Sequence, residues 1–164
     1  VYHSISEFRK YITLTQDKKV ISTGFKQLDT VLGGSLFEGF YAIGAISSLG
    51  KTTFILQIAD YLAKQGQDVL YFSLEMSKYE LMARSISRET YSHCLTNNLG
   101  TDNAKTIRGI LDGRKYVHYR EDDKKVIEAA TNNYRDYSRS LYIHEGVGNI
   151  GVQKIKEEIT KHIK

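Results

Sequence analysis

The sequence has no proline, no tryptophan and one cysteine in 164 residues. A lone Cys94 cannot close an internal disulfide, which excludes the disulfide-stapled class and suits a reducing, cytoplasmic setting. No apolar run approaches the roughly 20 residues that cross a bilayer, so no membrane partner is expected. The opening stretch VYHSISEFRK (Val1–Lys10) lacks the basic-then-apolar layout of a secretory signal. It also begins without methionine, so the chain reads as a piece of something longer. Average usage would supply about eight prolines; their absence has no physical account. Internal repeats and low-complexity linkers are missing too. His93, Cys94, His118 and His144 are dispersed without metal-ligand spacing, which argues against a zinc site. Cys94 reads as small core filler.

What is present is ordinary for a soluble globular domain, with 41% hydrophobic and 26% charged residues. The net charge of +4 permits a polyanionic partner without demanding one. Lysine and arginine are interleaved with acids, as in REDDKK (Arg120–Lys125), which describes a solvated surface. The 12 tyrosines invite a base-stacking role, but most fall at core or helix-surface positions such as Tyr41 and Tyr71, where tyrosine substitutes for tryptophan.

Along the chain, Ser4 and Glu7 stand in capping-box spacing and Ile5, Phe8 and Ile12 share a face of a short helix. Lys18 and Lys19 mark a polar break. STGFKQLDTVLGG (Ser22–Gly34) offers a brief helix with Leu28, Val31 and Leu32, stopped by Gly33 and Gly34. From there strands and helices alternate. Gly39–Ala45 and Asp68–Glu75 read as apolar strands. Between them Thr52–Lys64 reads as a helix with Phe54, Ile55, Ile58 and Leu62 at helical spacing. Ser77 and Glu80 form the capping box of the next helix. Residues 91–138 read as helical and polar. Ser140–Glu145 is a third strand, and a last helix turns Val152, Ile155, Ile159 and Ile163 inward. Strands separated by helices imply an α/β domain with a parallel sheet.

The window Ala45-Ile46-Ser47-Ser48-Leu49-Gly50-Lys51-Thr52 departs from G-x-x-x-x-G-K-[ST] only at its first position, which mainly has to be small. It follows an expected strand and opens an expected helix, the context the motif requires. There, backbone N–H groups and the helix N-terminus surround a phosphate. Gly50 lets the backbone approach, Lys51 neutralises β/γ charge and Thr52 offers a hydroxyl to Mg²⁺. The candidate contacts to a nucleoside triphosphate are Ala45, Ser47, Ser48, Leu49, Gly50, Lys51, Thr52 and Thr53. Glu75 ends the second strand at the carboxyl edge, where ligands of such sheets bind. A carboxylate there can orient and deprotonate an attacking water. On spacing alone the position equally suits an exposed strand-end acid or a helix-capping partner.

The segments STGFKQLDTVLGGSLFEGFYAIGAISSLGKTTFILQIA and VLYFSLEMSKYELMARSIS resemble the motor domain of DnaB-type replicative DNA helicases, RecA-fold hexamers found alone or fused behind a primase. The tokens are the TGF…LD…GG lead-in, the A-x-x-S-x-G-K-T loop and SLEM. Clear resemblance covers Ser22–Ser87 and continues more faintly through IRGILDG and SLYIHEG. It implies a RecA-like P-loop fold, ATP and Mg²⁺, with Lys51 and Thr52 as phosphate lysine and Mg²⁺ hydroxyl, and Glu75 as catalytic base. It further implies a homo-hexamer, single-stranded DNA held by downstream loops, and contacts to primase or other replisome components. Residues 1–20 would be a linker helix, and 21–164 the front part of the ATPase domain. Many members carry Arg-Pro where this chain has Ile46-Ser47, and the strand ending in a Mg²⁺-holding aspartate has no counterpart here. The chain therefore reads as ending ahead of that strand, and the piece alone is expected to be poorly stable or to fill the gap by swapping or self-association. A RecA-like, non-helicase ATPase acting as a nucleotide-switched assembly module shares the LDTVLGG lead-in; SLEM favours the helicase.

Overall fold

A computed structural model describes residues 2–15, 20–146 and 150–163. The expected polar break at Lys18–Lys19 and the side chain of Ile163 lie outside the described residues. The chain divides into two units, residues 1–44 and 45–164.

In the first unit, α1 spans Tyr2–Thr15. It starts ahead of Ser4, so Ser4 and Glu7 do not cap it. Its expected inner face is open, with Ile5, Phe8 and Ile12 at 50%, 60% and 43% exposure. Helix α2 (Lys26–Val31) is short, and Ile21 bridges Leu36 antiparallel across it. Asp29 organises this loop, accepting from Ser22 Oγ at 2.6 Å and from Thr23 N and Oγ1 at 2.8 and 2.7 Å. These donors, Ser22 first, hold its carboxyl below the ordinary carboxylate value. Gly34 stops the helix at φ 123, its N–H returning to Asp29 O at 2.7 Å. The strand expected over Gly39–Ala45 is not formed. Phe40 is 93% exposed there, and among the described residues no other segment pairs with this one as a strand.

The second unit holds the sheet: β1 (Val69–Ser73) and β2 (Leu141–Glu145), parallel, with Tyr71 opposite Ile143. Helices α3 (Lys51–Lys64) and α4 (Lys78–Thr96) flank β1 in sequence. Residues 91–138 do fold helically, as the end of α4, α5 (Ile107–Leu111), α6 (Gly113–Tyr116) and α7 (Glu121–Tyr137). In α7, three acids in the first turn complement the helix dipole, while Val126, Ile127, Ala130, Tyr134 and Tyr137 form its buried stripe. The core gathers Ala59 and Ala63 of α3, Ile86 of α4, Ala130, Tyr134 and Tyr137 of α7, and Leu141 of β2. Alanines at these crossings let the helices approach closely, and the two tyrosine rings meet edge-on at 5.3 Å.

Helix α3 buries Leu56, Ala59, Asp60 and Ala63, a stripe rotated from the one expected: Ile55 is 38% exposed, while Phe54, Ile58 and Leu62 are half-buried. Sheet, α4 and α7 together define that face, and periodicity alone cannot weigh them. Polar rungs join α3 to α4. Asp60 accepts from Ser85 Oγ at 2.6 Å and from Arg88, and Lys64 donates to Glu89 at 2.6 Å. Burial raises the Asp60 carboxyl pKa, opposed by the Ser85 bond and the Arg88 charge. Cys94 is fully buried, as its filler role requires. Helix α8 (Val152–Ile163) forms where expected, yet Val152 is 70% exposed and Ile159 36%. Its expected inward face is therefore largely open.

Candidate nucleotide site

The loop from Ala45 to Gly50 is exposed throughout, and the side chain of Lys51 reaches across it. Ser48 (φ 64) and Gly50 (φ 93) both adopt left-handed backbone on either side of Leu49 and curl the chain. At Ser48 this costs on the order of 1 kcal/mol; at Gly50 only glycine adopts it freely. Leu49 N reaches back to Ile46 O at 3.4 Å. Helix α3 then starts on Gly50 with no side-chain cap, so its first N–H groups face outward. Lys51 folds over the turn and donates from Nζ to Ala45 O at 2.9 Å. Thr52 is half-buried and Thr53 exposed at the start of the helix. The structure thus keeps the expected residues Ala45, Ser47, Ser48, Leu49, Gly50 and Thr53 exposed and Lys51 and Thr52 half-buried in one uncapped turn. This donor set fits a triphosphate tail, and the Thr52 hydroxyl is of the kind that holds Mg²⁺.

Glu75 lies exposed in the turn between β1 and α4, with no hydrogen bond or ion pair among the described residues. The capping alternative does not apply to it. Ser77 and Glu80 cap α4 reciprocally, as their spacing predicts. Those Ser77 bonds hold the Glu80 carboxyl below its usual range. The turn carrying Glu75 is fastened by residues the sequence did not single out. Ser73 Oγ donates to Met76 O at 2.6 Å and accepts from Met76 N at 3.2 Å. From the end of β2, Gly146 N donates to Ser73 O at 2.7 Å, and the Glu145 carboxylate accepts from Lys78 N at the start of α4. No sequence signal identifies these partners, because Glu145 and Lys78 are separated by 67 positions.

Helix α3 is about 21 Å long at 1.5 Å per residue and leads through a short connection into β1, about 17 Å long. The Thr53–Arg84 and Lys64–Glu89 bonds run α3 and α4 in one direction. The start of α3 and the turn carrying Glu75, which leads into α4, therefore lie toward the same end of this unit. His144 stacks on Phe72 at 5.0 Å near the same edge, and no group of three potential metal-ligating side chains occurs among the described residues.

The family model for the DnaB-like helicase C terminal domain matches residues 20–155. The chain belongs to that family. Its fold is α/β, that of a RecA-like P-loop NTPase, and family membership implies nucleotide and magnesium use. Similar proteins include the DNA repair protein RadA of Campylobacter jejuni, 49% identical over 65 residues (39% of this chain, 15% of that protein). The replicative DNA helicase DnaB of Geobacillus stearothermophilus is 36% identical over 87 residues, and DnaC of Bacillus subtilis 34% over 87 residues, each match covering 52% of this chain and 18% of the relative. The DnaB-like chain thus spans less than a fifth of these relatives. No solved structure matches it significantly. No described helix is long and apolar enough to cross a membrane.

Proposed function

We propose that this chain is the ATP-binding part of a replicative helicase motor that couples hydrolysis to movement along single-stranded DNA and duplex unwinding. The observation that carries this reading is the open, uncapped turn from Ala45 to Thr53, with Lys51 drawn across it, in a chain of the DnaB-like family. In the proposed mechanism the amides from Ala45 to Thr53 and the Lys51 ammonium hold the triphosphate tail. The Thr52 hydroxyl would hold Mg²⁺, which would supply neutralising charge when bound. Glu75 accepts the proton of the water that attacks the terminal phosphorus. Preset backbone donors gain most from charge that builds up during transfer, because they need not reorient.

The same proposal extends to a homo-hexamer with nucleotide between subunits, DNA-binding loops beyond these residues, primase or replisome partners, and a cytoplasmic setting. The test is strand separation by the intact protein on a forked duplex. Unwinding that requires ATP and is abolished in Lys51→Ala is the expected result; no unwinding with intact ATP turnover would overturn it. The alternative, a RecA-like switch of the recombination kind, shares the 65-residue likeness to RadA, but the helicase family match over residues 20–155 does not favour it. ATP-dependent assembly without unwinding would select it.

A further inference from the structure

The place of Glu75 relative to the loop depends on the β2 end that fastens its turn and on how α4, into which the turn leads, is held against α3. Their cross-links follow the same order along both helices: Thr53 to Arg84, Asp60 to Ser85 and Arg88, Lys64 to Glu89. Residue numbers rise together along both helices, so they lie side by side in one direction. On α3 the two lower rungs fix the latter half, next to the core, while on α4 all three rungs fall between Arg84 and Glu89, at the middle of the helix. Only the first rung, Arg84 Nη1 to Thr53 Oγ1 at 3.2 Å, lies at the end that carries the nucleotide loop. Arg84 Nε is buried without a hydrogen-bond partner among the described residues. An unmet buried donor of this kind typically costs about 1–3 kcal/mol, so its guanidinium is poorly explained by stability alone. Its charge also reaches β1, drawing the Tyr71 phenol down against the rise that burial causes.

The structure assigns Arg84 the role of a positioning residue that ties the helix carrying the Glu75 turn to Thr53 of the nucleotide loop, an assignment that rests on the nucleotide-site reading above. Chemistry between a carboxylate and a phosphorus held on different elements is sensitive to their spacing. Displacement of about 1 Å can lower a rate by about a hundredfold while leaving binding groups in place. Arg84 touches neither reacting atom; it acts through α4.

The test compares wild type, Arg84→Ala, Arg84→Lys and Thr53→Val in the intact protein. It measures the saturating rate of ATP hydrolysis, the Kd of a fluorescent ATP analogue and the unfolding midpoint. Arg84→Ala is expected to lower kcat between about ten- and a hundredfold, with Kd changed less than about threefold and an unfolding midpoint close to wild type, because the lower rungs remain. Arg84→Lys should recover part of the rate. Adding Arg84→Ala to Thr53→Val should lower kcat little further, because both remove one rung. Normal kcat in Arg84→Ala overturns the assignment, as does a Kd that weakens in step with kcat, which would mean direct contact with nucleotide. A lowered midpoint with normal kcat overturns it too, by showing a purely structural rung. A wild type whose hydrolysis is absent, or survives in Lys51→Ala, overturns the nucleotide-site reading itself and the assignment with it; only the former outcomes single out Arg84.

Discussion

Replacing Asp60 by alanine tests whether the α3–α4 rungs hold this unit together. Asp60 is 2% exposed and Ser85 fully buried, while the Arg88 side chain keeps 22% of its surface in water. Removing one partner of a buried ion pair typically costs about 3–5 kcal/mol. Arg88 can regain water, which places this case near the low end. Asp60 Oδ1 is itself buried without a partner, so its removal returns roughly 1 kcal/mol. The net expectation, broken pair less relieved oxygen, is about 2 kcal/mol. With a urea dependence of about 1–3 kcal/mol per molar, the midpoint should fall by about 1 M at unchanged slope. Asp60→Asn keeps an acceptor for Ser85 and should cost about half as much. Adding Arg88→Ala to Asp60→Ala should cost less than the sum, because the rung is already broken. The acid series supplies an independent check. Burial raises the folded carboxyl pKa above its ordinary value of 3.8, so the folded chain binds this proton more readily than the unfolded one. That contribution is present at low pH and is lost as pH rises through the folded pKa. Wild type should therefore gain on Asp60→Asn as pH is lowered. An Asp60→Ala midpoint within about 0.3 M of wild type, or additive costs with Arg88→Ala, would refute the reasoning.

Two further outcomes are expected. Hydrogen bonds from Ser22 and Thr23 lower the Asp29 carboxyl pKa from 3.8, so its stabilisation is full above the unfolded value and lost as pH falls through the folded one; a carboxyl ¹³C titration should place its midpoint below 3.8, and a midpoint at or above that value would contradict the hub in residues 22–29. Gly146→Ala would set a Cβ 2.7 Å from Leu74 Cδ2 and 3.2 Å from Ser73 O. The exposed Leu74 can swing aside but the strand carbonyl must shift, so ATP hydrolysis should fall severalfold with a stability change below about 1 kcal/mol. An unchanged rate would show that the β2 end does not set the Glu75 turn.

Much of the second unit was legible because its signals are local. The capping box at Ser77 and Glu80, the glycine at position 50 and the apolar strand runs each act over a few residues. The strand expected over Asp68–Glu75 forms as Val69–Ser73, and the parallel pairing follows from its alternation with helices. The family resemblance and the loop window were equally readable, since both are strings. What failed depends on distant partners. Gly39–Ala45 has strand composition, but a strand exists only beside another. The buried stripe of α3 is set by α4 and α7 as well as by the sheet, which is why it includes Asp60. Likewise the apolar faces of α1 and α8 follow helical period yet meet solvent, because period says which residues share a face and not what covers it. Glu145 and Gly146, which fasten the Glu75 turn, had no signal at all.

The stretch from Ala45 to Gly50 is exposed, while the buried core gathers the latter half of α3 with α4, α7 and β2. Scaffold and working edge are thus kept apart. In the homo-hexamer proposed above, a chain silenced at the edge would keep its frame, so it could be mixed with competent copies as an inert but well-formed neighbour. Dose–response in such mixtures would count how many live chains one working assembly needs.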